Sequence, residues 1–137
     1  MKDTIAFQIV YLYRQFLAYT TAELKKLGLN FGQMPFLLYI GNHSGCTQSD
    51  LTSHLRIDWG YCHRSVTRLA ETGFLRKEDS GKLTLTEPGE HAFSVIHALF
   101  RDWDEDRLSV LTGEEREQLF LLLTKLTTTN EASHETV

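Results

Sequence analysis

The chain has 137 residues, of which 42% are hydrophobic and 23% are charged, and its net charge is −4. These totals favour one globular domain over a disordered chain. The sequence has no secretory signal, and no apolar run approaches the roughly 20 residues that span a bilayer. It therefore predicts a cytoplasmic protein without membrane contact. The acids are concentrated in the C-terminal third: residues 1–43 carry a net charge of +2, residues 44–86 of +1 and residues 87–137 of −7, so the negative total does not exclude a nucleic-acid partner.

The apolar residues of the N-terminal segment recur at three- and four-residue steps, which predicts a long amphipathic helix over residues 4–27, ended by Gly28. Two interpretations fit the aromatic rings of this helix: they pack against another helix, or some of them line a ligand pocket. The rings are those of Phe7, Tyr11, Tyr13, Phe16 and Tyr19.

A second helix is predicted to start at Asn30, because Asn30 and Gln33 have the spacing of a capping box. Pro35 lies in its early turns and is expected to make that start irregular. Residues 36–40 are almost continuously apolar, which indicates burial on most sides, and residues 41–45 are predicted to break the chain.

A short third helix is predicted from a capping box formed by Thr47 and Asp50. Cys46 and Leu51 have the positions of a hydrophobic staple at the same end. Residues 56–57 connect this helix to the next one, and two helices joined by so short a turn cross steeply, as in a helix-turn-helix.

Residues 58–73 are predicted to form one helix, with Asp58 as its N-cap and Gly73 at its C′ position. A buried stripe is predicted from Cys62, Val66 and Leu69. The opposite face carries donors, acceptors and positive charges, with only Glu71 opposing them; its residues are Tyr61, His63, Arg64, Thr67 and Arg68. A helix that reads DNA excludes acids from this face because they would meet phosphates, although an ordinary solvated face is the alternative.

Short strands are predicted at residues 74–78 and 82–85 around a turn at residues 79–81, and the order helix, helix, hairpin is that of a winged helix. Thr86 is the candidate cap of a long helix that reaches residue 111. A capping box of Thr112 and Glu115 starts a final helix, and residues 127–137 are expected to fray.

The first and last helices show more apolar surface than the winged-helix core can cover, which predicts a two-fold homodimer in which the termini of two chains pack together. The predicted fold is mostly α with a small β-hairpin wing. Within a single domain, residues 30–86 form the winged helix-turn-helix, residues 1–29 and 87–128 the dimerisation helices, and residues 129–137 a flexible end.

Catalytic and metal chemistry find no support in the sequence. Cys46 and Cys62 are too few for a disulfide framework and lack metal-ligand spacing, and the histidines are scattered. No nucleophile–base pair or glycine-rich phosphate loop occurs, so we expect no enzyme activity, no cofactor and no metal. Cys62 is expected to be a buried apolar residue rather than a redox switch.

Five stretches in order resemble the MarR family of bacterial transcription regulators, and together they cover nearly the whole chain. They are Leu27-Gly28-Leu29-Asn30, Thr47-Gln48-Ser49-Asp50-Leu51, the helix from Ile57-Asp58 to Gly73-Phe74, Leu85-Thr86-Glu87-Pro88-Gly89, and Leu111-Thr112-Gly113-Glu114-Glu115-Arg116-Glu117-Gln118-Leu119. The resemblance implies a triangular homodimer that places one recognition helix in each half of a palindromic operator, with half-sites about one helical turn, roughly 34 Å, apart. It also implies repression that is relieved by a small phenolic or lipophilic molecule, or by an oxidant.

The chain departs from the family pattern at the wing and at the recognition helix. The family's wing usually carries an Asp-x-Arg pair whose arginine reaches the minor groove, whereas this hairpin is shorter and Lys82 is the only basic residue near its tip. Trp59 and Tyr61 are bulkier than the residues common at those positions. The reactive cysteine of the family's redox subgroup has no counterpart on the first helix.

The sequence therefore yields two sets of candidate site residues. The DNA-binding set is Gln48, Ser49, Trp59, Tyr61, His63, Arg64, Thr67, Arg68 and Lys82, in which arginine pairs with guanine and the start of the third helix with a phosphate. The effector set, in a cleft between the first helix and the start of the fifth, is Phe16, Tyr39 and His91. The main hypothesis is a dimeric ligand-responsive repressor of double-stranded DNA. The alternative is a winged-helix protein–protein module with weak or no DNA binding.

Overall fold

The computed structural model describes residues 3–135, with side chains described for residues 3–128. Helices dominate, and one antiparallel hairpin completes the fold, which confirms the predicted fold class. In order, the elements are α1 (Ile5–Lys26), a 3-10 turn (Phe31–Gln33), α2 (Met34–Asn42), α3 (Gln48–Leu55), α4 (Trp59–Glu71), β1 (Leu75–Lys77), β2 (Leu83–Leu85), α5 (Glu87–Arg107), a second 3-10 turn (Leu108–Val110) and α6 (Gly113–Glu135). Among the described residues, no helix is both long and apolar enough to cross a membrane.

Two compact units divide the chain, one of residues 1–100 and one of residues 101–137. The core of the first unit joins α2, α3, α4 and the hairpin with residues of α1 and α5. Its fully buried side chains include Leu24, Leu37, Leu51, Leu69 and Ile96. Burial of these apolar side chains is the main favourable term for this unit, and it fixes which face of each short helix turns outward.

The hairpin is held in a single register. Leu75 pairs with Leu85 and Lys77 with Leu83, and a bridge from Cys46 to Leu83 ties the loop before α3 to the second strand. Leu75 and Leu83 are buried, so a one-residue slip would expose both of them. The wing is therefore fixed to the helix-turn-helix at its base.

The predicted helix starts are confirmed at several capping residues. Asn30 and Gln33 make the expected capping box, although it starts a 3-10 turn before α2, in agreement with the irregular start expected near Pro35. Thr47 and Asp50 exchange the bonds of a second box at α3. These caps occupy N–H groups that would otherwise lack a partner in the first helical turn.

The predicted chain break at residues 41–45 is wrong at Gly41 and Asn42, which both lie inside α2. A Cβ built at Gly41 would stand 2.1 Å from the Phe93 ring. The absence of a side chain at Gly41 therefore allows α5 to pack closely against α2. Helix α2 ends only after Asn42. A helical glycine of this kind cannot be told from a chain breaker without knowing what packs against it.

The long fifth helix is shorter at its C-terminus than predicted, since it ends at Arg107 rather than at residue 111. A 3-10 turn follows, and Leu111 is extended because Thr112 begins the capping box of the next helix. Arg116 Nε donates a hydrogen bond of 3.1 Å to the Leu108 carbonyl oxygen. The capping box and this side-chain hydrogen bond together explain why α5 ends earlier than predicted.

The second unit contains the end of α5 and all of α6. The Arg107 guanidinium lies 5.6 Å from the centre of the Trp103 ring, within cation–π distance. α6 extends to Glu135. Residues 129–135 continue α6, residues 136–137 lie outside the described residues, and the flexibility predicted for residues 129–137 stays a prediction.

Replacement of Gly89 by alanine is expected to destabilise the first unit by about 1–3 kcal/mol, the usual cost of overpacking. A Cβ at Gly89 would stand 2.1 Å from the Phe74 carbonyl oxygen, and a backbone oxygen cannot move aside as a side chain can. Thermal unfolding followed by far-UV circular dichroism measures the loss. Gly113→Ala is the control, because a Cβ there meets open space and the Tm should stay within a few degrees of that of the unmodified chain. Equal melting of the two variants would contradict the close contact.

Candidate nucleic-acid interface

Helix α4 has the ends and the buried stripe that the sequence predicts. Asp58 Oδ1 accepts a 2.7 Å hydrogen bond from the Tyr61 amide, and Gly73 has a φ of +89°, which suits glycine. Cys62, Val66 and Leu69 are buried against α3 and the hairpin core. Anchoring three positions of one stripe fixes the rotation of the helix and hence the residues on its outer face.

The outer face of α4 is exposed and cationic. Tyr61, His63, Arg64, Thr67 and Arg68 are all exposed, as predicted. In the part of the chain that the structure describes, neither arginine forms an ion pair. Both guanidinium groups therefore keep their donors available for a ligand.

A depression of about 250 Å³ opens beside the two arginines. Asn30, Gly32, Gln33, Tyr61, Arg64, Ser65 and Arg68 line it. The sequence predicted the capping role of Asn30 and Gln33 but not their position beside α4, which depends on how the 3-10 turn packs against that helix. The depression adds amide and hydroxyl groups to the arginine face.

A second depression, of about 310 Å³, lies where α3 and α4 begin and where the hairpin turns. Its lining residues are Thr47, Gln48, Ser49, Trp59, Lys77, Ser80 and Gly81. Ser49 is exposed at the start of α3 and Trp59 is 58% exposed at the start of α4, so both present their side chains outward. Lys77 was not among the predicted site residues.

Gln48, which the sequence predicts as a DNA contact, is only 4% exposed. Its Oε1 accepts from Lys77 Nζ at 3.2 Å and lies 3.3 Å from His63 Nδ1. The side chain thereby links α3 to β1 and to α4. Lys77 and Gln48 are 29 residues apart, and no local pattern connects them.

The turn of the hairpin is short. The Glu78 amide donates to the Lys82 carbonyl at 2.9 Å, and Gly81, with a φ of +90°, donates from its amide to the Glu78 carbonyl at 2.8 Å. Lys82 is exposed, and the turn also presents the exposed carboxylates of Glu78 and Asp79. Because one cation lies beside two acids, the tip of the hairpin is expected to bind the negatively charged groove of DNA only weakly.

The structure places the predicted effector residues in separate surroundings. Phe16 packs edge-on against Phe31 and Phe100, with ring centroids 6.2 and 5.1 Å apart. Tyr39 stacks at 4.1 Å on His43. His91 is exposed on α5. A shared effector pocket for Phe16, Tyr39 and His91 stays a prediction.

The two cysteines are buried free thiols. Burial raises the pKa of both the Cys46 and the Cys62 thiol, and the Asp50 carboxylate raises that of Cys46 further. The Cys62 thiol also donates weakly to the Gln48 carbonyl oxygen at 3.8 Å. A raised pKa lowers the thiolate fraction, which agrees with the prediction of a buried apolar residue at Cys62.

A helix-turn-helix followed by a hairpin whose base packs on it defines a winged helix-turn-helix protein, and comparison with known proteins gives the family. Residues 27–82 match the model of the MarR family. The HTH-type transcriptional regulator BilQ from Clostridium symbiosum (strain WAL-14163) is 41% identical, with 96% of each chain covered. The chain therefore belongs to the MarR family of HTH-type transcriptional regulators, which act by binding and not by catalysis, and this confirms the resemblance inferred from the sequence.

Solved structures support the same assignment. A MarR transcriptional regulator from Methanosarcina mazei Go1 superposes with a TM-score of 0.83 at 26% identity, covering 96% of this chain and 92% of its own. A chain from Listeria monocytogenes, described as a MarR-family transcriptional regulator and solved with a 26mer DNA, superposes with a TM-score of 0.77 at 25% identity, covering 94% of this chain and 89% of its own.

Proposed function

We propose that this regulator binds double-stranded DNA as a homodimer and represses transcription by occupying a palindromic operator. The observation that carries the proposal is the outer face of α4, where Arg64 and Arg68 are exposed and unpaired in the described structure, with no acid until Glu71. An ordinary solvated helix usually mixes charges of both signs on its exposed face. The relative of known structure that was solved with DNA adds support from outside the chain.

In this proposal α4 lies in the major groove. Arg64 and Arg68 are one turn apart and can each form a bidentate pair with guanine O6 and N7, or bind a phosphate. Tyr61, His63 and Thr67 contact bases beside them. Ser49 and Trp59 approach the backbone at the edge of the groove, and Lys82 approaches from the wing.

A second copy of the chain is proposed to cover the apolar surfaces of the terminal helices. In the single chain Ile5 of α1 is 74% exposed and Phe120 of α6 is 70% exposed. Further large apolar side chains of the same two helices are exposed as well: Ile9, Val10, Tyr11, Leu12, Tyr13, Leu121, Leu122, Leu123 and Leu126. Surface of this extent on a monomer marks an interface, and two-fold pairing is the commonest way to bury it.

The dimer in turn sets the form of the operator. Two α4 helices related by a two-fold axis read inverted half-sites about one helical turn apart. A small hydrophobic or phenolic effector, bound near Phe16, Tyr39 or His91, would release the DNA by favouring a dimer whose α4 helices no longer match that spacing. The cytoplasm is the expected location for such a regulator.

Selection of bound duplexes from a random DNA pool tests this function. The expected result is enrichment of an inverted repeat whose half-site centres lie about 10 base pairs apart, because each subunit inserts one α4 helix. Guanine is expected within each half-site as the partner of an arginine. A pool that stays random after several rounds would contradict sequence-specific binding and would favour a protein–protein role for the winged helix.

A further inference from the structure

The 310 Å³ depression between α3, α4 and the wing contains an unsatisfied buried amide. Gln48 lines it and is 96% buried, and its Nε2 has no hydrogen-bond partner among the described residues. Its Oε1, in contrast, is engaged by both Lys77 and His63. Buried polar groups in native proteins are nearly always satisfied, so an orphan donor in the wall of a cavity points to a missing acceptor.

The other groups around this depression favour an anion as that acceptor. Lys77 contributes an exposed ammonium group, and Ser49 and Ser80 contribute hydroxyls. The cavity also lies at the start of α3, where first-turn N–H groups and the helix dipole favour negative charge. The nearest acid of that helix, Asp50, is already occupied, since its Oδ2 accepts from the Thr47 amide.

We propose that this depression binds one phosphodiester group of the DNA backbone, with Gln48 Nε2 and Lys77 Nζ as donors to its oxygens. The inference rests on the proposed function, because the phosphate belongs to the operator. Gln48 is also a positioning residue, since its Oε1 holds Lys77 on one side and His63 of α4 on the other. The base of the wing thus contacts the DNA backbone through Lys77. The short tip of the wing, which has only Lys82, contacts the DNA poorly.

Lys77→Ala tests the contact when it is combined with chemically modified DNA. The duplex is the one selected from the random pool, with single phosphates replaced in turn by neutral methylphosphonates. We expect one position in each half-site to weaken binding of the unmodified protein about tenfold, as for loss of a charged hydrogen bond. The same position should weaken Lys77→Ala much less, because only the neutral Gln48 amide then remains to contact that phosphate. The slope of log affinity against log salt should also become shallower by about 2 for the dimer.

Lys25→Ala is the matched control, since it removes an exposed lysine from the end of α1 and should leave the salt slope unchanged. Gln48→Glu examines the amide itself: it keeps the acceptor for Lys77 and His63 but removes the donor and adds a negative charge. This variant is expected to bind DNA at least tenfold more weakly, and the same methylphosphonate should weaken its binding less than it weakens binding by the unmodified protein.

Lys77→Ala is an exposed surface change, so the test stands even if Gln48→Glu does not fold. If every methylphosphonate position affects Lys77→Ala and the unmodified protein equally, this inference fails while the function proposed for α4 survives. That pattern would also result if a free anion, rather than the DNA backbone, occupied the depression. If the unmodified protein selects no duplex at all, the proposed function fails first.

Discussion

Arg64→Ala is expected to weaken operator binding strongly in a gel shift while leaving the proposed dimer intact. Each bidentate arginine–guanine pair contributes about 1–3 kcal/mol of discrimination, and a dimer loses two such pairs. The dissociation constant should therefore rise from about thirtyfold to more than a thousandfold. Arg64 is exposed and forms no ion pair within the described residues, so the Tm should change little.

Two further variants separate the roles of charge and geometry at Arg64. Arg101→Ala removes an exposed arginine that pairs at 3.6 Å with Asp102 on α5, and it should bind DNA normally. Arg64→Lys keeps the charge but loses the planar fork, so it should retain non-specific affinity and lose preference for the selected sequence. Normal binding by Arg64→Ala would show that α4 does not read this DNA.

Leu122→Glu is expected to convert the proposed dimer to a monomer at micromolar concentration. Leu122 is exposed on α6 in the single chain, so the substitution costs the isolated subunit little, whereas the proposed interface would have to bury a carboxylate. Loss of a packed leucine alone costs about 2–5 kcal/mol, and a two-fold dimer loses two, which raises the dimer dissociation constant by roughly a thousandfold or more. Sedimentation velocity across a concentration series measures the change.

Ser53→Glu adds the same charge at an exposed position of α3, outside the terminal helices, and it should remain dimeric. DNA affinity should fall together with dimerisation in Leu122→Glu, because one subunit then holds only half of the operator. A dimer that persists in Leu122→Glu would remove α6 from the interface. A monomeric unmodified chain would contradict the two-fold arrangement as a whole.

The geometry of α4 could be predicted from the sequence because its information is local. Asp58 and Gly73 mark its ends, and Cys62, Val66 and Leu69 repeat at the spacing of one buried stripe, so the outward face follows by exclusion. The same reasoning located the capping boxes at Thr47 and at Thr112. Wherever a helix has marked ends and one apolar stripe, its exposed residues can be named from the sequence alone.

The remaining features depend on contacts between distant segments, which a single sequence does not display. Lys77 joins Gln48 across 29 residues, so neither the burial of Gln48 nor the role of Lys77 could be foreseen. Gly41 resembles a helix breaker until the ring of Phe93 is found against it. The pairing of α1 and α6 with a second copy is still inferred from exposed surface rather than from contacts.

The most direct test of DNA binding through these cationic side chains is the salt dependence of affinity for the selected duplex. Four such side chains per subunit face the proposed backbone or groove: Arg64, Arg68, Lys77 and Lys82. If all eight in a dimer neutralise phosphates, log affinity should fall with log salt at a slope of about −7, and if the arginines contact only bases, at about −4. A slope within that range is the predicted result. A slope flatter than about −1, or binding that salt does not change, would contradict the account.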